Sequence, residues 1–213
     1  MLDTYFSRVG CNTYTVWNDN NDAFIIDPGY NKDNCLIEHI KKLGVNVVAI
    51  LVTHCHYDHI AALNAVLKEF PNATTYINID EADSYADPKI NLTKFIEEDY
   101  VDIIDALPKK VVKLFDGEEF ELCGYSIKMI ATPFHTSGSC CYYIANEEIL
   151  FSGDTLFYTT IGRTDLPTGS VKTVESSLLK LIALPDAVKV YPGHGPTTRL
   201  EREKKYNTHL RNL

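Results

Sequence analysis

Three of the seven histidines in this 213-residue chain fall within one short run, "ILVTHCHYDHIAAL", which carries His54, His56, Asp58 and His59 directly after an apolar stretch. In an extended chain alternate side chains share a face, so His54, His56 and Asp58 can converge where the strand ends, while His59 turns elsewhere as a helix begins. A cluster of that shape can serve two metal sites at once. The apolar run before it could not accept such polar residues inside a sheet, so the cluster is expected at the sheet's end, where loops build sites.

Three further segments supply what the cluster lacks. "ATPFHTSGS" puts His135 in a turn after a strand, "LFSGDTLF" puts Asp154 after another, and "VYPGHGPTT" puts His194 after a third. Each polar residue follows an apolar β-rich run and is flanked by Gly or Pro, which bend the backbone and turn a ligand inward. Neutral imidazoles leave an open coordination position for water on a zinc-like ion, and two ions about 3.5 to 4 Å apart can hold one hydroxide between them. Metal binding lowers the pKa of water to about 7, so this chemistry needs no Ser or Cys nucleophile. Two divalent ions opposite Asp58, Asp154 and hydroxide keep a net positive charge, which favours a carbonyl oxygen turning into an oxyanion. Asp58 is assigned the catalytic role of orienting the hydroxide and taking up its proton. His39 on a helix surface and His209 near the end of the sequence are set aside as solvated, and Cys55, pointing away from its neighbours by alternation, as packing.

The elements around these residues read as alternating strands and helices. "CNTYTVWN" and "DAFIIDPG" form a hairpin; Asp33 caps a helix over "NCLIEHIKKLG" with Leu36, Ile37, Ile40 and Leu43 inward and Gly44 as its stop. "VNVVAILVT" is a buried strand and "HIAALNAVLKEF" a helix ended by Pro71. Residues 80–110 are polar and weakly periodic, an insertion with one or two short helices. Strands resume with "EEFEL", "YSIKMIAT", "CCYYIA" and "EILFSGD", then a helix from about Val171 to Leu184 with Ser170 as N-cap and Leu178, Leu179 and Ile182 inward. A last strand, "AVKVYPGHG", precedes a terminal helix whose "EREKK" run reads as a solvated face. The whole of 1–213 is expected to be one domain of class α/β, two sheets face to face with helices outside, in four αββα layers.

Composition narrows the partner. A formal net charge of -9 disfavours nonspecific binding to nucleic acid or anionic membrane, and a small molecule is the expected partner. The start of the sequence has no basic segment followed by an apolar one, and no run approaches the roughly 20 apolar residues of a membrane span. A cytoplasmic protein is the expectation. The six cysteines are scattered without a CxxC pair and read as reduced core thiols.

"THCHYDH", "TPFHTSGS", "SGDTLF" and "PGHG" resemble, in order, the motifs of the metallo-β-lactamase superfamily, and "GDTLFYTTIGRTDLPTGS" is most similar to its glyoxalase II-like hydrolases. That resemblance implies two divalent metal ions, zinc first, with iron or manganese as alternatives. One ion would take His54, His56 and His135, the other Asp58, His59 and His194, with Asp154 bridging. It implies hydrolysis of a small, anionic thioester or related ester, with Arg163 meeting the anionic part of the substrate; the alternative for Arg163 is a pairing with Asp165 or a backbone carbonyl that fixes its loop. Tyr158, four residues beyond Asp154, is read from its position either as lining the cleft and donating a hydrogen bond to substrate or as a half-buried packing residue. Glyoxalase II enzymes usually add a helical domain that grips glutathione, and no such stretch follows His194 in this sequence. Where they carry an aromatic two positions after the basic residue, Asp165 stands here. The commonest zinc β-lactamases carry Cys in place of Asp154, flavodiiron proteins an acid in place of His56, and RNA-processing relatives a large inserted domain. Two alternatives remain: a mononuclear iron persulfide dioxygenase, which also shows "GRTD", and a noncatalytic metal-stabilised binding module.

Overall fold

A computed structural model describes residues 1–6, 10–96, 104 and 106–213. Among them, strands β1 (Leu2–Phe6), β2 (Asn12–Trp17), β3 (Asp22–Ile26), β4 (Asn46–Val52), β5 (Thr74–Asn78) and β6 (Val111–Leu114) lie side by side in chain order as one mixed sheet. β1, β2 and β3 pair antiparallel, and β3 to β6 pair parallel. The second mixed sheet runs from β12 (Thr198–Arg199) through β11 (Lys189–Pro192), β10 (Ile149–Gly153), β9 (Cys140–Ile144) and β8 (Tyr125–Ala131) to β7 (Glu119–Leu122).

Alternation along the strands builds the layers. Phe24 and Ile26 of β3 face between the sheets with Tyr14, Leu51, Met129, Tyr142 and Phe151. Their neighbours Ala23 and Ile25 face outward, against α1 (Cys35–Leu43) and α3 (Leu63–Glu69), through Leu36, Ile40, Leu63 and Val66. The second sheet does the same: Cys141, Leu150 and Val190 turn outward onto Leu178 and Leu181 of α5 (Val174–Ile182) and Leu200 of α6 (Leu200–Tyr206). Strands buried on both faces read as near-continuous apolar runs, which is why "AILV" and "CCYYI" lack a polar face. The result is the four-layer αββα sandwich, as a single domain.

Several local expectations shift. The N-cap position of α1 is Asn34 rather than Asp33, and the side chain that accepts from its first turn is that of Asn31, whose Oδ1 takes the Leu36 and Ile37 N–H at 3.0 and 3.2 Å. The helix expected over residues 59–70 is two pieces, α2 (Tyr57–Ile60) and α3, and it starts earlier, with His56 at the N-cap. On α5 Leu181 is buried with Leu178, and Leu179 is 46% exposed. Glu203, in the run read as solvated, is fully buried; it accepts from Thr159 N–H, Thr198 Oγ1 and Asn207 Nδ2. Within 80–110, a short helix α4 (Ile79–Ala82) overlaps the start and a 3-10 turn covers Thr93–Phe95, while 97–103 and 105 lie outside the described residues.

The topology decides where the chemistry sits. β3, β4 and β5 are parallel, and β8, β10 and β11 share one direction, so Asp27, the His54–His59 run, His135, Asp154 and His194 all emerge at strand C-terminal ends. Backbone bonds join the two sheets there: Cys140 N–H donates to Thr53 O at 2.9 Å and Asn12 N–H to Gly193 O at 2.6 Å.

Candidate metal centre

At that edge three ring nitrogens face one another: His56 Nδ1 lies 3.1 Å from His54 Nε2 and 2.9 Å from His135 Nε2. Groups behind the rings set which nitrogen points inward. His135 Nδ1–H donates to the Arg163 carbonyl at 2.9 Å. Thr53 Oγ1 gives its proton to Asp27 Oδ2 at 2.6 Å, so toward His54 Nδ1 at 3.2 Å it acts as acceptor. His54 and His135 therefore both present Nε2 lone pairs to His56 Nδ1, and one proton at most could lie among the three atoms. His56 Nε2 is buried without a hydrogen-bond partner among the described residues.

A second triad adjoins the first. Asp58 Oδ2 is 3.0 Å from His194 Nε2 and 3.6 Å from His59 Nε2, and the two imidazole nitrogens are 3.4 Å apart. His59 Nδ1–H donates to Asp27 Oδ2 at 2.9 Å, which again leaves Nε2 facing the cluster. Asp154 lies between the triads, with Oδ1 3.3 Å from His59 Nε2 and Oδ2 3.5 and 3.6 Å from the Nε2 atoms of His135 and His194. Apart from that ion-pair contact with His59, its buried Oδ1 has no hydrogen-bond partner among the described residues. The backbone carrying these ligands runs close: a Cβ at Gly193 would fall on Asp154 Oδ1 and His59 Cε1, and one at Gly162 on the Asp154 carbonyl.

The donors fit a pair of ions. Tetrahedral bonds of about 2.0–2.1 Å place ligand atoms roughly 3.3 Å apart, close to the separations in both triads. The donor set, imidazole and carboxylate without thiolate, suits zinc, iron or manganese. The electrostatics agree. Burial lowers His54 well below the ordinary imidazole value, His56 to about 3 and His135 in the same direction, so these rings are neutral and able to ligate. Burial alone would raise Asp58 and Asp154, yet His59 and His194 bring both below the usual carboxylate range. For His59, burial alone would lower the value; Cys11, Asp154, Asp58 and Asp27 raise it well above the ordinary one. His194 is raised against burial by its hydrogen bond to Asp58 and the charge of Asp154. The second triad thus gathers protons to balance its carboxylates, and a divalent cation would take their place.

His54, His56, His59 and His135 are at most 3% exposed, whereas the side chains of Asp58 and His194 are 37% and 41% exposed. Those two residues form the rim from which a ligand would approach. A cavity of about 450 Å³ opens beside Asp58, lined by Tyr30, Lys32, Tyr57, Ala61 and Ile96.

The two residues expected to touch substrate are placed differently from the ligands. The Arg163 guanidinium is exposed and held by both oxygens of Asp165 at 2.6 and 2.7 Å, so its fork is engaged within its own loop, and it is its carbonyl that reaches the centre through His135. Tyr158 is 43% exposed with the Arg202 guanidinium 3.8 Å over its ring; the ring beside His194 is that of Phe157, with centroids 6.2 Å apart. Sequence reasoning missed Asp27, Thr53 and Glu81. Asp27 carried a usable signal, an acid closing the apolar run "AFIID" just as Asp154 closes "ILFSGD". Glu81 carried none. It is 1% exposed, and burial pushes its carboxyl up against three hydrogen bonds that favour its ionised form.

Comparison with known proteins agrees with this arrangement. The chain is 36% identical over 200 residues to a probable metallo-hydrolase of Streptococcus pyogenes serotype M6, covering 93% of this chain and 84% of that one. It is 32% identical over 201 residues to the hydroxyacylglutathione hydrolase GloC of Haemophilus influenzae, covering 93% and 92%. The crystal structure of the BLEG-1 B3 metallo-β-lactamase superposes with a TM-score of 0.87 at 31% identity over 99% of both chains. The family pattern described as the metallo-beta-lactamase superfamily matches residues 7–194, a span that holds every ligand of both triads. With the fold, the ligand order and the relatives in agreement, the chain belongs to the metallo-β-lactamase superfamily.

Proposed function

We propose that this metallo-hydrolase-superfamily member is a dinuclear hydrolase of a small thioester or related ester. The observation that carries the reading is the pair of ligand triads joined by Asp154, with only Asp58 and His194 open to solvent. The hydroxyacylglutathione hydrolase name of the Haemophilus relative supports the ester class.

When bound, the ions would supply hydroxide at neutral pH and Lewis acidity toward the acyl carbonyl. The chain's residues do the rest. Asp27, Thr53 and the Arg163 carbonyl keep the Nε2 lone pairs of His59, His54 and His135 directed at the centre. Asp58, ionised and 37% exposed, turns Oδ2 to the second triad and leaves its other oxygen to orient the attacking nucleophile and take up its proton as the C–O bond forms. The C–S bond then breaks, and the thiolate leaves toward the open side. The mostly apolar cavity beside Asp58 is the berth for one arm of the substrate.

A second reading comes from the B3 metallo-β-lactamase neighbour, because the same centre could open a lactam. A panel assay separates them: zinc-loaded protein against S-lactoylglutathione, smaller acyl thioesters, lactones and a chromogenic cephalosporin, with oxygen uptake followed alongside the iron-loaded form. The proposal expects thioester turnover that EDTA abolishes and zinc restores. Turnover of the cephalosporin alone, or oxygen consumption with a persulfide, would overturn it.

A further inference from the structure

We infer that Glu81, on α4 and outside both triads, is a positioning residue that fixes the spacing of the two loops delivering His54, His56 and His135. The inference rests on the metal-centre reading and not on the identity of the substrate. Glu81 Oε1 accepts from Cys55 N–H at 2.8 Å, and Cys55 is the residue between His54 and His56. Glu81 Oε2 accepts from Thr136 Oγ1 at 3.0 Å and Gly138 N–H at 2.9 Å, in the loop that follows His135. One buried carboxylate thus bridges a loop of the first sheet and a loop of the second, each next to a histidine of the same triad.

The surroundings are built for that bridge. Asn78, at the end of β5, donates from Nδ2 to the Gly138 carbonyl at 2.9 Å, so the 135–139 loop is held on two sides. Any Cβ at Gly138 would strike the backbone of Asp80 and Glu81, so glycine lets the loop lie directly on α4. Ser139 Oγ contacts Thr136 Oγ1 at 2.7 Å and accepts from its N–H at 3.0 Å, which orients the hydroxyl toward Glu81. Among the described residues, every donor at this carboxylate comes from the two histidine loops, and none comes from Asp58, His59 or His194. Asp27 holds His59, and Glu81 holds the opposite wall of the centre.

An amide cannot replace this carboxylate. Glu81→Gln sets an NH2 group against either Cys55 N–H or the Gly138 N–H, a donor facing a donor inside the protein. One of the two loops must then shift, and the triad opens.

The test measures metal affinity at each site. Zn2+ and Co2+ are titrated against a chromophoric chelator in a His194→Ala background, which isolates the first triad, and in a His56→Ala background, which isolates the second. Glu81→Gln is expected to weaken the first site about 10- to 100-fold, the range for groups that orient ligands. It should alter the visible Co2+ spectrum of that site and leave the second within twofold. If Glu81→Gln does not fold, as judged by circular dichroism, Thr136→Val removes only the hydroxyl donor and should produce a smaller loss confined to the same site. Equal weakening of both sites, or no change at the first, overturns the positioning role while leaving the metal centre standing. Failure of the parent chain to bind either metal overturns both.

Discussion

Replacing Asp27 with Asn should weaken one ion site far more than the other, and the geometry sets the size of the effect. Asp27 Oδ2 accepts from Thr53 Oγ1 at 2.6 Å and His59 Nδ1 at 2.9 Å, while Oδ1 accepts from Thr53 N–H at 2.8 Å. Asparagine offers one oxygen and one NH2 group in place of those two acceptors. If the oxygen keeps the Oδ2 position, the NH2 group opposes the buried Thr53 N–H. If it takes the Oδ1 position, the NH2 group faces His59 Nδ1, the ring proton must move to Nε2, and His59 no longer ligates. Either outcome forfeits a charge-assisted hydrogen bond worth about 1.5–3 kcal/mol. At about 1.4 kcal/mol per tenfold, that is roughly 10- to 100-fold in affinity at the Asp58–His59–His194 site. With the amide oxygen at the Oδ2 position, Thr53 still donates there and still accepts from His54 Nδ1, and because His54 meets Asp27 through Thr53, the first triad should lose less. Stepwise zinc titration against a chelator reads both affinities. Two sites each within about twofold of the parent would refute the reasoning that the Asp27 carboxylate sets the His59 tautomer.

Asp58→Asn, assayed at matched metal occupancy, should lower kcat by about 10²–10⁴-fold with KM little changed, because the amide takes up no proton; a kcat within twofold would remove Asp58 from the role given to it. Arg163→Ala should alter kcat/KM for anionic and neutral thioesters equally and by less than about threefold, because the guanidinium is bound to Asp165 and the carbonyl that holds His135 is retained; a loss confined to the anionic substrate would restore a binding role. Asp116 is held below its ordinary value of 3.8: burial works against this, and the hydrogen bonds from Lys180 and Ala131 N–H prevail. Its stabilisation is therefore present above about 3.8 and lost as pH falls through the lower folded value. Asp116→Asn should cost under about 1 kcal/mol at pH 7, screened as it is by solvent, and progressively less as the pH falls below 3.8, as read by urea unfolding across that range.

The residues of the two triads were legible as a cluster because each breaks a local rule in the same way, a polar side chain closing an apolar strand beside Gly or Pro. His135, Asp154 and His194 needed no long-range information. The groups that orient them did, because Thr53 and Glu81 act through partners far apart in sequence: Glu81 meets Thr136 and Gly138 across 55 and 57 residues. Periodicity identified α5 but misassigned Leu179, because a helix preceded by the 3-10 turn at Val171–Thr173 presents a rotated face. The charge of "EREKK" concealed Glu203, whose burial is offset by hydrogen bonds from Thr159 and Asn207 that no spacing rule anticipates. Arg163 came from resemblance, and of its two readings the structure shows the pairing with Asp165, two residues on, which captures the guanidinium; the reading of Tyr158 rests on position alone, and its ring lies under Arg202. β5 and β6 escaped notice because "TTYIN" and "VVKL" adjoin the weakly patterned stretch, and pairing with β4 rather than local pattern defines them.

The central claim is a two-ion centre, and the most direct test is stoichiometry. Protein saturated with zinc, dialysed exhaustively and analysed for metal against protein should hold two ions per chain. His56→Ala and His194→Ala should each retain one, since each breaks a different triad. A parent chain that keeps a single ion, with one of these substitutions removing it and the other leaving it in place, would contradict the account.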